Sequence, residues 1–330
     1  MTFEIKDLAG LSQPLTRLIE VISAGIGNIS GPYLLKSNAR AKAEEIKLLT
    51  DALEKSNLRQ LGFQIESQSP QLTIGTKTEK LELTKLQDID RIRSRIEHQL
   101  RSEQENIESI TSESALELAK ISDVPEETPE LEWISRFFSI AEEVSSEDMQ
   151  VIWGKILAGE IKQPGAFSLC TLEVLRNLSR TEANLFNNVS NFTFRNGSLR
   201  EGIIPTVFNS EMQSCGISFG EFTKLVDCGL IYPNEMTKVF FDGAELGETG
   251  IFESSGHSIV FKSTETSVAF ELENWRLTNA GTELLSLTEN NPKISFLQML
   301  KSDIKSFGLD CSIVKNLVRT TDSFTAEIVE

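Results

Sequence analysis

The sequence predicts an α+β protein, mainly α, on three observations. Long stripes of helical period fill the N-terminal third, short capped helices crowd the middle, and strand runs between glycine-rich turns enter only in the last third. The predicted domains are residues 1–122, a region of long N-terminal helices read as self-associating, and residues 130–330. The second comprises a helical core over 130–190 and an α+β part over 191–330.

The first helix is announced by Leu11, Leu15, Leu18, Ile22, Ile26 and Ile29, spaced by three and four so that they share one face. Gly25, Gly27 and Ser30 interrupt the pattern, and Gly31-Pro32 stops it. A second helical pattern runs through Leu35, Ala39, Ala43, Ile46, Leu49 and Leu53, and Ser67 to Thr76 reads as a loop. A third runs from Leu86 through Ile89, Ile92, Ile96 and Leu100 to Ile107 and Ile110. The polar sides are dense in Lys, Arg and Glu, as in helices that pack on one another or on a partner.

Asp123-Val-Pro-Glu-Glu-Thr-Pro129 is the predicted linker, since neither proline fits a helix interior. Beyond it, Ser145 with Asp148 predicts a capping box before the stripe Met149, Ile152, Trp153, Ile156 and Leu157. Ser168 opens a helix with Leu172, Leu175 and Leu178, and Ser179 with Glu182 repeats the box. The spacing predicts burial of Trp133, Phe137, Trp153, Ile156, Leu172 and Leu175. Asn196-Gly197 favours a hairpin, because both residues tolerate positive φ. Ser218 with Glu221 predicts a capped helix ending at Gly229. Val239–Phe241, Ile259–Phe261 and Val268–Leu272 read as strands, and a last helix runs from Ile294 to Gly308.

The block Trp133-Ile-Ser-Arg-Phe-Phe138, Val144-Ser-Ser-Glu-Asp-Met149, Trp153-Gly-Lys-Ile-Leu-Ala-Gly-Glu-Ile161, Pro164-Gly-Ala-Phe-Ser168 and Leu172-Glu-Val-Leu-Arg-Asn-Leu178 resembles a bacterial family known as domain of unknown function 2806. The resemblance spans roughly Leu131 to Val189 and extends more loosely to Cys228-Gly-Leu-Ile231 and Leu277-Thr-Asn-Ala-Gly281. It implies no activity and no functional residues. It does imply an association with mobile, defence-related gene neighbourhoods. Separately, the order helix, Gly-Leu-Ile, two strands, Leu-Thr-x-Ala-Gly resembles a winged-helix module, an analogy of fold that does not by itself give DNA binding.

Three motifs suggest chemistry and fail on context. Gly216-Ile-Ser-Phe-Gly220 matches a nucleophile elbow, with Asp242 and His257 following, but no buried strand precedes it, so Ser218 reads as a helix cap. Gly25-Ile-Gly27-Asn-Ile-Ser30 approaches a dinucleotide fingerprint but lies in a helix pattern and lacks the third glycine. Arg91, Arg93, Arg95, His98 and Arg101 form the most basic cluster. Residues 77–101 hold seven Lys/Arg against five Asp/Glu and no aromatic residue, which favours a solvated helix face over a nucleic-acid site.

Of 330 residues, 49 are acidic and 32 basic, a formal net charge of −17 that opposes nucleic acid and anionic lipid. Two distant histidines and four cysteines without C-x-x-C spacing argue against a metal centre, and no cofactor is expected. Sparse cysteine, no signal-like N-terminus and no apolar run of roughly 20 residues point to the cytoplasm. No catalytic residue is assigned. The expected function is that of a non-catalytic binding or assembly protein. Its candidate interaction residues are Leu15, Leu18, Ile22, Gly25, Ile26, Gly27 and Ile29, a stripe that water leaves costly unless covered. The stripe is expected to be covered either by the helices from Leu35 to Ile110 of the same chain or, with equal weight, by a partner: a second copy of the chain first, with a protein partner or peripheral membrane contact as the other options. A winged-helix nucleic-acid binder is the alternative. Against it, residues 236–330 carry eight Lys/Arg and fourteen Asp/Glu. An enzyme using carboxylates and a metal ranks third.

Overall fold

The structure is a computed structural model that describes residues 12–26, 77–196, 202–205, 210–233, 237–243, 249–254, 256–263, 268–288, 291–319 and 324–329. The predicted helix from Leu35 to Leu53, the loop from Ser67 to Thr76, and Gly27 to Pro32 lie outside these residues. The contacts divide the chain into two compact units, one ending at Ala166 and one beginning at Phe167. The division thus falls beyond the predicted linker, and local bonding gives the reason. Arg17 on the first helix donates to the Glu126 carbonyl at 3.0 Å, and the Val124 N–H donates to Gln13 Oε1 at 3.2 Å. Val124 itself is buried. The proline-rich segment is pinned across the helices it was expected to separate.

The first unit is helical. Helix α1 (Gln13–Gly25) starts with Pro14 in its first turn, where a missing N–H costs nothing. Helix α2 (Lys77–Leu118) has 42 residues, a length of about 63 Å at 1.5 Å per residue. Among the described residues, helices α3 (Leu131–Ala141) and α4 (Glu147–Lys162) pack with them. The centre of this bundle is aromatic: Trp133 stacks on Phe137 at 5.1 Å, and Trp153 meets the Phe137 edge at 5.4 Å. Trp133, Phe137, Trp153 and Ile156 are buried, as their spacing predicted. The box predicted at Ser145 is not formed. Ser146 is the N-cap of α4 and makes no side-chain cap bond.

Gly154 sets the distance between α2 and α4. A Cβ there would lie 2.5 Å from Glu113 Cβ and 2.9 Å from the Ile110 carbonyl oxygen, inside real contact distances. A polar thread crosses the same interface: Gln150 donates to Asn106 Oδ1 (3.1 Å) and to the Val144 carbonyl (2.8 Å), and Asn106 donates to the Glu142 carbonyl (2.8 Å). Buried amides satisfied in this way fix one register, since any slip would strand them.

The second unit opens with α5 (Leu169–Arg176) and α6 (Arg180–Ser190). Strands β1 (Phe194–Asn196) and β2 (Gly202–Pro205) form the expected antiparallel hairpin. Helices α7 (Ser210–Ser214) and α8 (Phe219–Asp227) follow, then β3 (Thr237–Gly243), β4 (Thr249–Glu253), β5 (His257–Ser263) and β6 (Val268–Arg276). Helices α9 (Asn279–Leu285) and α10 (Ile294–Ser306) precede β7 (Leu309–Arg319) and β8 (Phe324–Ile328). The eight strands form one sheet in the order β3-β6-β2-β1-β4-β5-β7-β8, every neighbouring pair antiparallel. Phenylalanines tie α10 to it: Phe296 meets Phe192 at 5.0 Å and Phe194 at 6.1 Å.

Strand β2, helices α7 and α8 and the β3–β6 pair follow one another in the chain, with Ile231 bridged to Leu277, but β4 and β5 stand between β3 and β6, so the two-strand wing read from the sequence is four strands here. The two loosely matching segments of sequence are stitched together here. The Thr278 hydroxyl donates to the Gly229 carbonyl at 2.7 Å and accepts from the Gly281 N–H at 3.1 Å, so it caps α9 and joins it to the end of α8. The Leu230 carbonyl oxygen presses on Gly281 where any Cβ would stand. Gly229 turns the chain at φ 76°, a conformation that glycine adopts without cost.

Candidate interaction site

The predicted stripe is spent inside the first unit. Leu15, Leu18 and Ile22 are buried, and α1 packs on α2, α3 and α4. Gly25 lies under the Phe138 ring with no room for a side chain, and Ile26, half-buried, closes the helix. Gly27 and Ile29 lie outside the described residues. An amphipathic helix of 13 residues next to an aromatic bundle gains more by completing that core than by waiting for a partner, so for its described residues the stripe takes the internal packing that the sequence left open.

An uncovered stripe lies elsewhere, on α2. From Asn106 to its C-terminus this helix is packed into the bundle, with Ile107, Ile110, Ala115 and Leu118 buried. Residues 91–101 are all exposed. Within them Ile92 is 52% exposed, Ile96 47% and Leu100 59%. Spaced four apart, the three side chains fall within about 80° of the helix circumference. Arg91, Arg93, Arg95 and Arg101 stand exposed around them. The sequence reading recorded the period of this helix but assigned no site to it, because period alone does not say which part of a stripe is covered.

The other candidates hold no chemistry. Ser218 accepts from the Glu221 N–H at 3.2 Å and caps α8, while a helix, not a strand, precedes Gly216. His257 pairs with Asn291 at 3.3 Å. An open cavity of about 490 Å³ lies among α5, α6 and α8, lined by Cys170, Glu173, Leu178, Glu182, Asp227 and Cys228 among others. Burial, then a hydrogen bond to Glu182, pushes the Cys228 thiol up to about 11, so it is protonated at neutral pH. The Glu182 carboxylate is occupied, accepting from the Ser179 N–H at 2.7 Å. Among the described residues no group of three or more His, Cys, Asp or Glu is placed to hold a metal ion. None of the described helices is long and apolar enough to cross a membrane.

The α7–α8 pair of the second unit offers little to phosphate. Its second helix, α8, exposes Phe219 (61%) at the start, then Lys224 and Asp227. Lys224 is paired with Glu221 at 2.8 Å.

No curated protein and no solved structure matches this chain. Residues 90–301, well over half of it, match the family described as protein of unknown function (DUF2806), a span that begins in α2 and ends within α10. The chain belongs to that family.

Proposed function

We propose that this is a non-catalytic assembly protein of the cytoplasm, which associates through the exposed stretch 91–101 of α2 while its winged-helix-like part presents a second surface to a protein partner. The observation that carries the reading is the stripe Ile92, Ile96 and Leu100, exposed on a helix that is packed from Asn106 to Leu118. Covering each of these half-exposed side chains gains roughly 1 kcal/mol, about half the value of full burial. Two copies supply six such side chains, a gain comparable with the ~4–15 kcal/mol that association costs. The expected complex is therefore reversible and concentration-dependent. A place in defence rests on the family resemblance alone. Light scattering over a dilution series tests the reading: the full chain should rise above monomer mass with concentration, and Ile96→Glu should not. A wild-type chain that stays monomeric throughout would refute it.

A winged-helix nucleic-acid binder is the second reading, supported by the topology of β2, α7, α8, β3 and β6. Charge weighs against it. Phosphate binding releases counterions in proportion to the cations engaged, and α8 offers one lysine already paired with Glu221. Retardation of duplex DNA at low salt that is lost in Lys224→Ala would favour this reading over the first.

A further inference from the structure

We draw no further inference here: the strongest candidate, the open cavity among α5, α6 and α8 lined by Cys170, Glu173, Glu182, Asp227 and Cys228, is a cluster of acidic side chains and thiols to which nothing else among the described residues assigns a ligand, its Glu182 carboxylate being already bonded to the Ser179 N–H.

Discussion

Ser218 closes the N-terminus of α8 by accepting the Glu221 N–H at 3.2 Å, one of the helix donors that would otherwise lack a partner. Ser218→Ala should lower stability by about 1 kcal/mol in chemical denaturation and leave a serine-directed phosphonate with nothing to lose, since the hydroxyl serves the backbone. At Ser179 and Glu182 the box is complete, each side chain bonding the other's N–H at 3.3 and 2.7 Å. Hydrogen bonds from Ser179 hold the Glu182 carboxyl below its usual range. A depressed carboxyl stabilises the fold above the unfolded value of about 4.3, and that contribution disappears as pH falls through the lower folded value. Wild type should therefore melt above Glu182→Gln at pH 7, with the gap closing under acid below about pH 4; a gap that persisted there would assign the effect to packing. Both caps were legible in sequence because a Ser three residues before a Glu states its own geometry. Ser145 with Asp148 carries the same kind of spacing and fails. Ser146 stands one residue nearer the apolar stripe and takes the cap position.

Element by element, the helices of the middle region were readable because their stripes are short and each is bounded by a cap or a glycine. The change along α2 from the exposed stretch 91–101 to the packed stretch 106–118 was not readable. Ile96 and Ile107 are alike as residues, and only the presence of α3 and α4 beside one of them distinguishes their surroundings. Strands β7 and β8 were missed for a related reason. Leu309 to Arg319 alternates imperfectly, and its register with β8 shifts between Lys315 and Val318 near Asn316, which sits at φ 52°. A bulge breaks the two-residue period that would have announced the strand. The α2–α4 contact makes its own prediction. With Glu113 and the Ile110 carbonyl already against Gly154, Gly154→Val must push the helices apart and should cost about 1–3 kcal/mol in urea unfolding. An unchanged midpoint would mean that the two helices can separate freely.

For the whole molecule, composition and charge predicted the class of protein well and its anatomy less well. The α+β character and the late arrival of strands follow from patterning that any window of sequence displays. The position of the division near Ala166 does not, because it depends on Arg17 and Gln13 reaching residues more than a hundred positions away. The sheet carries the same lesson into synthesis. Its inner strands β1 and β2 have three and four residues, and their outer neighbours β4 and β6 come later in the chain. On a ribosome the hairpin emerges first and must wait, its edges open, until residues 268–276 arrive to cover β2 and supply β3 with a neighbour. A chain released after Ser263 should accordingly stay soluble far less well than the full protein and unfold without a cooperative transition, measured by circular dichroism of whatever remains in solution. Translation time between β2 and its last partner β6, some seventy residues at ~5–20 residues per second, is then an interval of several seconds in which this protein needs either speed or a chaperone.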